Sequence, residues 1–196
     1  MNGRFDTRQV SRTTRSLIVA TAALAATLLA APASASACPD AVVSQPFAAW
    51  NDARHYSLSP GGSFEDGATG WELGDGATLV AGGAPFVSDS AATALRLAPG
   101  SAATSAPFCV EPRDRIARLF ARGEDASGAR LQLELVDGDS SRASGLVQTG
   151  REWDATRPFA IPGPSHGERW LRYRFTAAGD DAVLIDDLYI DPHARH

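Results

Sequence analysis

The chain reads GGSFEDGATGWEL at residues 61–73 and VLIDDLYI at residues 183–190, and these two stretches decide the fold. The first places one carboxylate, Glu65, on a short strand-like piece, followed by a Gly-rich turn and Trp71. The second sets two adjacent carboxylates, Asp186 and Asp187, inside an otherwise apolar strand. A carboxylate within an apolar strand must be solvated, hydrogen-bonded or bound to a cation. Acids of this kind at both ends predict that the first and last strands of one domain meet and close it together.

Between these ends the chain reads as β throughout. β-forming runs cover residues 71–73, 77–80, 93–97, 104–110, 115–121, 130–136, 144–148, 153–161, 169–176 and 181–190. They are punctuated by turn clusters such as Gly74-Asp75-Gly76, Pro99-Gly100 and Asp137-Gly138-Asp139. No segment after residue 37 keeps a helical apolar period across ten residues. Many short strands with regular turns predict an all-β fold, a single jelly-roll β-sandwich. The expected organisation is a leader over 1–37, an arm over 38–59, the sandwich over 60–192 and a tail over 193–196.

Phe64, Glu65, Gly67, Gly70 and Trp71, then Ile185, Asp186 and Asp187, resemble the opening and closing motifs of secreted carbohydrate-binding modules with a galactose-binding-domain-like jelly roll. WDATRPFAIP at residues 153–162 looks like the Trp-led strand such modules place before their late strands. The resemblance spans roughly residues 60–192. It implies a structural calcium site joining the first strand to the last, with Glu65 and Asp186 as ligands and Asp187 as the substitute. Ca²⁺ takes about six to eight oxygens, which carboxylates and loop carbonyls can supply.

The leader carries Arg4, Arg8, Arg12 and Arg15, then an apolar run over 17–31, then small-x-small sites at Ala33-Ser34-Ala35 and Ala35-Ser36-Ala37. That is the pattern of a cleaved secretion signal, so the expected location is outside the cell, with no membrane span after cleavage. Removing it takes four of the 18 basic residues and one of the 23 acids, leaving 14 − 22 = −8. An acidic chain without a basic run argues against nucleic acid. Cys38 and Cys109 are the two cysteines and fit one disulfide in an exported protein. Lipidation of Cys38 is the weaker alternative, because a branched apolar residue three places earlier is missing.

Period-two alternation places Leu131, Leu133 and Leu135 opposite Gln132 and Glu134, and Leu171, Tyr173 and Phe175 opposite Trp170, Arg172 and Arg174. It also sets Ala117, Leu119 and Ala121 against Arg118 and Phe120, with Arg122 following on that side. If these strands share one sheet, its outer face gathers Arg118, Phe120, Arg122, Gln132, Glu134, Trp170, Arg172 and Arg174. Phe120 or Trp170 could stack on a sugar ring while the arginines, Gln132 and Glu134 hydrogen-bond its hydroxyls. The competing reading of that face is a solvated surface of cross-strand pairs, each worth about 0.2–1 kcal/mol.

The chain contains no Gly-x-Ser-x-Gly elbow, HExxH or P-loop. Without these catalytic motifs, what the resemblance implies is a secreted, non-catalytic binding module for carbohydrate, an extracellular or cell-wall polysaccharide. The alternatives are a structural or protein-interaction domain of the envelope and, third, a small glycoside hydrolase.

Overall fold

A computed structural model describes residues 38–87, 92–112, 115–125, 128–164 and 166–191. The leader over 1–37 and the tail over 193–196 lie outside the described residues. Among the described residues fourteen strands form two sheets. In chain order they are β1 (Val43–Ser44), β2 (Tyr56–Leu58), β3 (Glu72–Leu73), β4 (Ala77–Ala81), β5 (Thr93–Leu97), β6 (Ala102–Thr104) and β7 (Phe108–Val110). Then follow β8 (Arg115–Gly123), β9 (Ala129–Asp137), β10 (Ser140–Thr149), β11 (Asp154–Ala155), β12 (Phe159–Ile161), β13 (Arg169–Ala177) and β14 (Val183–Asp191). Among the described residues no helix is long and apolar enough to cross a membrane.

β14 is the spine of the first sheet. One of its edges pairs along β8; the other pairs with β5 in its first half and β2 in its second. β4 extends the sheet beyond β5, β1 beyond β2, and the short β11 and β12 beyond β8. The second sheet runs β10–β9–β13–β6–β3, with β7 also on β13. Alternation builds the core between the sheets: Leu131, Leu133 and Leu135 from β9 and Leu171, Tyr173 and Phe175 from β13 meet Ala117, Leu119 and Ala121 from β8.

One expectation is corrected here. β8 does not share a sheet with β9 and β13. Both of its edges are taken within the first sheet, by β14 on one side and by β11 and β12 on the other. The connection from β8 to β9 therefore crosses between layers. Two of the expected runs are also broken in two: 104–110 at residues 105–107, and 153–161 around Pro158, which has no N–H to give a ladder.

β14 keeps two apolar faces only because it is bulged. Asp186 lies opposite Phe120 and Tyr189 opposite Arg118, so Asp187 and Leu188 together oppose one residue of β8. Asp187 takes a positive φ of 51° as the extra residue. This shifts the alternation by one: Val183 and Ile185 point into the core before the bulge, Leu188 and Ile190 after it. All nine residues of β14 are buried. The chain's other end docks on the bulge. Ser59 N–H donates to Leu188 O at 2.8 Å, and Leu188 N–H donates to Gly62 O at 3.2 Å. Gly61 and Gly62 permit this approach: a Cβ on Gly61 would lie 2.5 Å from Thr69 O, and one on Gly62 3.0 Å from Leu188 O. Phe64 also adopts a positive φ, 59°, turning its ring into the core against Trp71 at 4.8 Å. A left-handed bulky residue costs on the order of 1–3 kcal/mol and persists where packing dictates it.

The expected disulfide is present: Cys38 is bonded to Cys109 on β7, 71 residues away. It ties the start of the arm to the second sheet. The rest of the arm adds β1 and β2 to the edge of the first sheet, and the 3-10 turn at Ala48–Trp50 between them follows Phe47 on its outer face. There Phe47 and Tyr56 join Phe120, Tyr189 and Ala84 in a second apolar cluster.

Deleting Asp187 should return the strand to plain alternation and turn Leu188 and Ile190 out of the core. The expected result is loss of a cooperative thermal transition by circular dichroism, while Asp187→Asn, which keeps the bulge, retains it.

Candidate functional site

The acids of the two ends lie near enough for Glu65 to raise the proton affinity of both aspartates. Asp186 is 2% exposed and Asp187 6% exposed. Asp186 Oδ2 accepts from Ala84 N–H and Oδ1 from Asp187 N–H, each at 2.8 Å. Glu65 Oε1 accepts from Ala92 N–H at 2.9 Å and Thr93 N–H at 3.1 Å. These bonds fasten both roots of the segment between β4 and β5. Among the described residues no arginine is ion-paired with any of the three acids.

Electrostatics follow from that geometry. Burial, then the neighbouring Asp187, push the Asp186 carboxyl up to about 8 against the pull of its two backbone N–H groups; Glu65 adds to the rise. Burial and Glu65 raise Asp187 to about 6. The three acids feel one another's charge, but among the described residues their oxygens do not all lie within 4.8 Å of one another, so the cluster as it stands is not a ready-made ligand shell. Asp187 rides on the bulge, so simple strand parity does not separate it from Asp186.

The other predicted residues divide between the two sheets. Arg118 and Phe120 are not on an open face, which corrects their assignment to a shared ligand-binding surface. Arg118 is 5% exposed and Phe120 0%. The Arg118 guanidinium donates to Asp52 Oδ2 and to Thr156 O, each at 2.8 Å, and lies 4.3 Å from the centre of the Phe47 ring. Tyr56 Oη donates to the same Asp52 oxygen at 2.7 Å. Burial alone would raise the Asp52 carboxyl, but Tyr56, the Arg54 N–H and Arg118 outweigh it and hold it below its ordinary value. Removing one member of such a pair strands a buried charge, at a cost of about 3–5 kcal/mol. Arg122, half-buried on the same sheet, sits 5.5 Å from the Trp153 ring centre.

Gln132, Glu134, Trp170, Arg172 and Arg174 do come together, on the outer face of the second sheet. Register sets Glu72, Thr104, Arg174, Glu134 and Ala143 in one row across five strands. The next row holds Ala102, Thr176, Gln132 and Leu146. Trp170, opposite Cys109, is 49% exposed at one end of the face, and Leu146 is 64% exposed at its far edge. Arg174 is exposed and makes no ion pair among the described residues. Arg172 is committed: it pairs with Glu72 and donates to Ser105 O and Gly70 O, pinning the turn before β3 to β13. Sequence reading missed Leu146 and Glu72 on this face. Leu146 stands directly before Val147 on β10, so the sequence alone does not say which of the two faces out.

No family model matches the sequence, and no curated protein matches it. Among solved structures, the chain is similar to TmCBM61 in complex with β-1,4-galactotriose, with TM-score 0.50 and 18% identity over 68% of this chain and 96% of that one. The fold is the jelly roll of carbohydrate-binding modules. The CBM22-1 xylan-binding domain from Paenibacillus barcinonensis is also similar, with TM-score 0.47 and 16% identity over 68% of this chain and 93% of that one. So are the Clostridium thermocellum xylanase CBM22-1–GH10 modules complexed with xylohexaose, with TM-score 0.49 and 14% identity over 68% of this chain and 28% of that one.

The raised acids fix a pH dependence for the metal-free protein. A carboxyl whose folded pKa lies above its unfolded value keeps a proton that the unfolded chain releases, so its contribution declines as pH rises through the folded value. For Asp187 and Asp186 the window runs from about 4 to about 8. Asp52, shifted down, acts only at the acid end. Scanning calorimetry in EDTA should therefore show the melting temperature falling by several degrees between pH 5 and pH 8.

Proposed function

We propose that this protein is an exported, non-catalytic carbohydrate-binding module that holds an extracellular or cell-wall polysaccharide on the outer face of its second sheet. The observation that carries this reading is the grouping of Trp170 and Arg174 on β13 with Glu134 and Gln132 on β9 on one face, with Trp170 and Arg174 exposed, while the arm covers the other sheet. An exposed indole offers an apolar surface for a sugar's C–H face. Arg174, Glu134 and Gln132 supply donors and acceptors for hydroxyls. The fold shared with TmCBM61, which was solved with β-1,4-galactotriose, supports the same class of ligand.

We further propose a structural Ca²⁺ held by Asp186, Asp187 and Glu65. Bound there, the cation would neutralise the mutual repulsion of the three carboxylates. The chain's own part is to bury the two aspartates and to anchor Glu65 through the Ala92 and Thr93 N–H groups. Added Ca²⁺ should raise the melting temperature of the EDTA-treated protein, with a larger gain at pH 8 than at pH 5. No gain at either pH rejects the cation.

A glycan array with the purified protein tests the sugar reading, and binding no stronger than background would end it. For a bound glycan, Trp170→Ala and Arg174→Ala should each weaken affinity about tenfold, about 1.4 kcal/mol, without moving the melting temperature. Arg172→Ala should also lower stability, because Arg172 pins the Gly70 turn.

A further inference from the structure

Beside the outer face of the second sheet, with which it shares Leu146, a groove of about 900 Å³ opens where the two sheets part along one side of the sandwich. One wall is β10, which pairs with β9 alone; the other is the segment carrying β11 and β12 on the edge of the first sheet. The volume is within the range of small-molecule sites, about 300–1,000 Å³. The groove is pinched at both ends. Ser144 Oγ donates to Ala160 O at 3.3 Å, and Gly123 N–H donates to Gly150 O at 2.7 Å.

Its chemistry is two-sided. Phe159 and Val147, both packed against the core, supply an apolar lining. Gln148, Asp154 and Arg157 supply exposed polar groups, one acid balanced by one base. Trp50 Nε1 donates to Asp154 Oδ1 at 2.6 Å, so the arm holds that carboxylate in place while Oδ2 remains to accept. A ligand with an apolar face and a hydroxylated edge and no net charge matches this lining, and a pyranose ring has that form. The pinched ends oppose an extended peptide running the length of β10, and favour a short ligand that enters from outside.

We propose that this groove is a second saccharide site, shaped for the end of a neutral glycan chain. The outer face of the second sheet, open at its sides, takes the middle of a chain. One module then holds two glycans at once and can cross-link them, with the gain in avidity that two linked sites bring. This rests on the reading of the protein as a carbohydrate binder.

The test is a ¹⁵N-resolved NMR titration of the purified protein with β-1,4-galactotriose, xylohexaose and cellohexaose. The expected result is amide shifts within 144–150 and 154–160 that persist in the Trp170→Ala/Arg174→Ala double variant. They should disappear in Ala160→Trp, which fills the groove from an exposed edge position, and Gln148→Ala should weaken them about fivefold. Shifts confined to the outer face of the second sheet overturn the groove and leave the carbohydrate reading standing. Groove shifts that survive Ala160→Trp, or that appear with an alternating Thr-Val hexapeptide and with none of the saccharides, also overturn the proposal. No shift anywhere with any of the three saccharides overturns both.

Discussion

The bulge at Asp187 is the constraint on which the rest of the molecule depends. β14 must be buried on both sides: the core lies on one face and the arm with the β4–β5 segment on the other. A sequence of two apolar stretches joined by two acids can satisfy that only if one residue drops out of the ladder. Asp187 does so, and the displaced backbone of Leu188 becomes the dock for Ser59 and Gly62. The same event buries two like charges within reach of the charge on Glu65. Burying carboxylates without a cationic partner is costly, so both aspartates hold a proton more tightly than a free carboxyl does.

The arm decides which sheet is free to bind. By covering Phe120, Tyr189 and Arg118, it turns the outer face of the first sheet into a second core, sealed by the buried Asp52–Arg118 pair. The disulfide from Cys38 to Cys109 begins that arm on the opposite sheet, so the arm spans both layers. The second sheet is left as the one broad uncovered face among the described residues, and its exposed Trp170 and Arg174 lie there. The groove arises from the same economy of edges. β8 needs covering on its outer side, and the short β11 and β12 cover it without reaching β10 along its whole length.

Much of the fold was legible in the sequence. The strand at Thr93–Leu97 falls where its β-formers sit, and alternation in β8, β9 and β13 correctly named the residues that face the core. The pairing of two cysteines followed from their number and context. Alternation reports which face a residue is on, not which sheet its strand joins, and so Arg118 and Phe120 were grouped with Arg172 and Arg174. An arginine opposite an apolar residue reads as solvated; only the fold of the arm shows that Asp52 and Phe47 cover it. The buried acids of the last strand were legible, but the bulge was not, because β14 is buried on both faces and a shift of phase leaves no mark in a strand that is apolar on both sides. The groove had no sequence signal at all, since it is made by the divergence of two edges.

The most direct test of the closure is hydrogen exchange at the amides that join the chain's ends, those of Ser59, Leu188, Ala84 and Thr93. The account predicts that these four exchange as slowly as the amides of β8 and β9, through unfolding of the whole domain. Rapid exchange at all four while β8 and β9 stay protected would show that the ends do not lock together, and would contradict it.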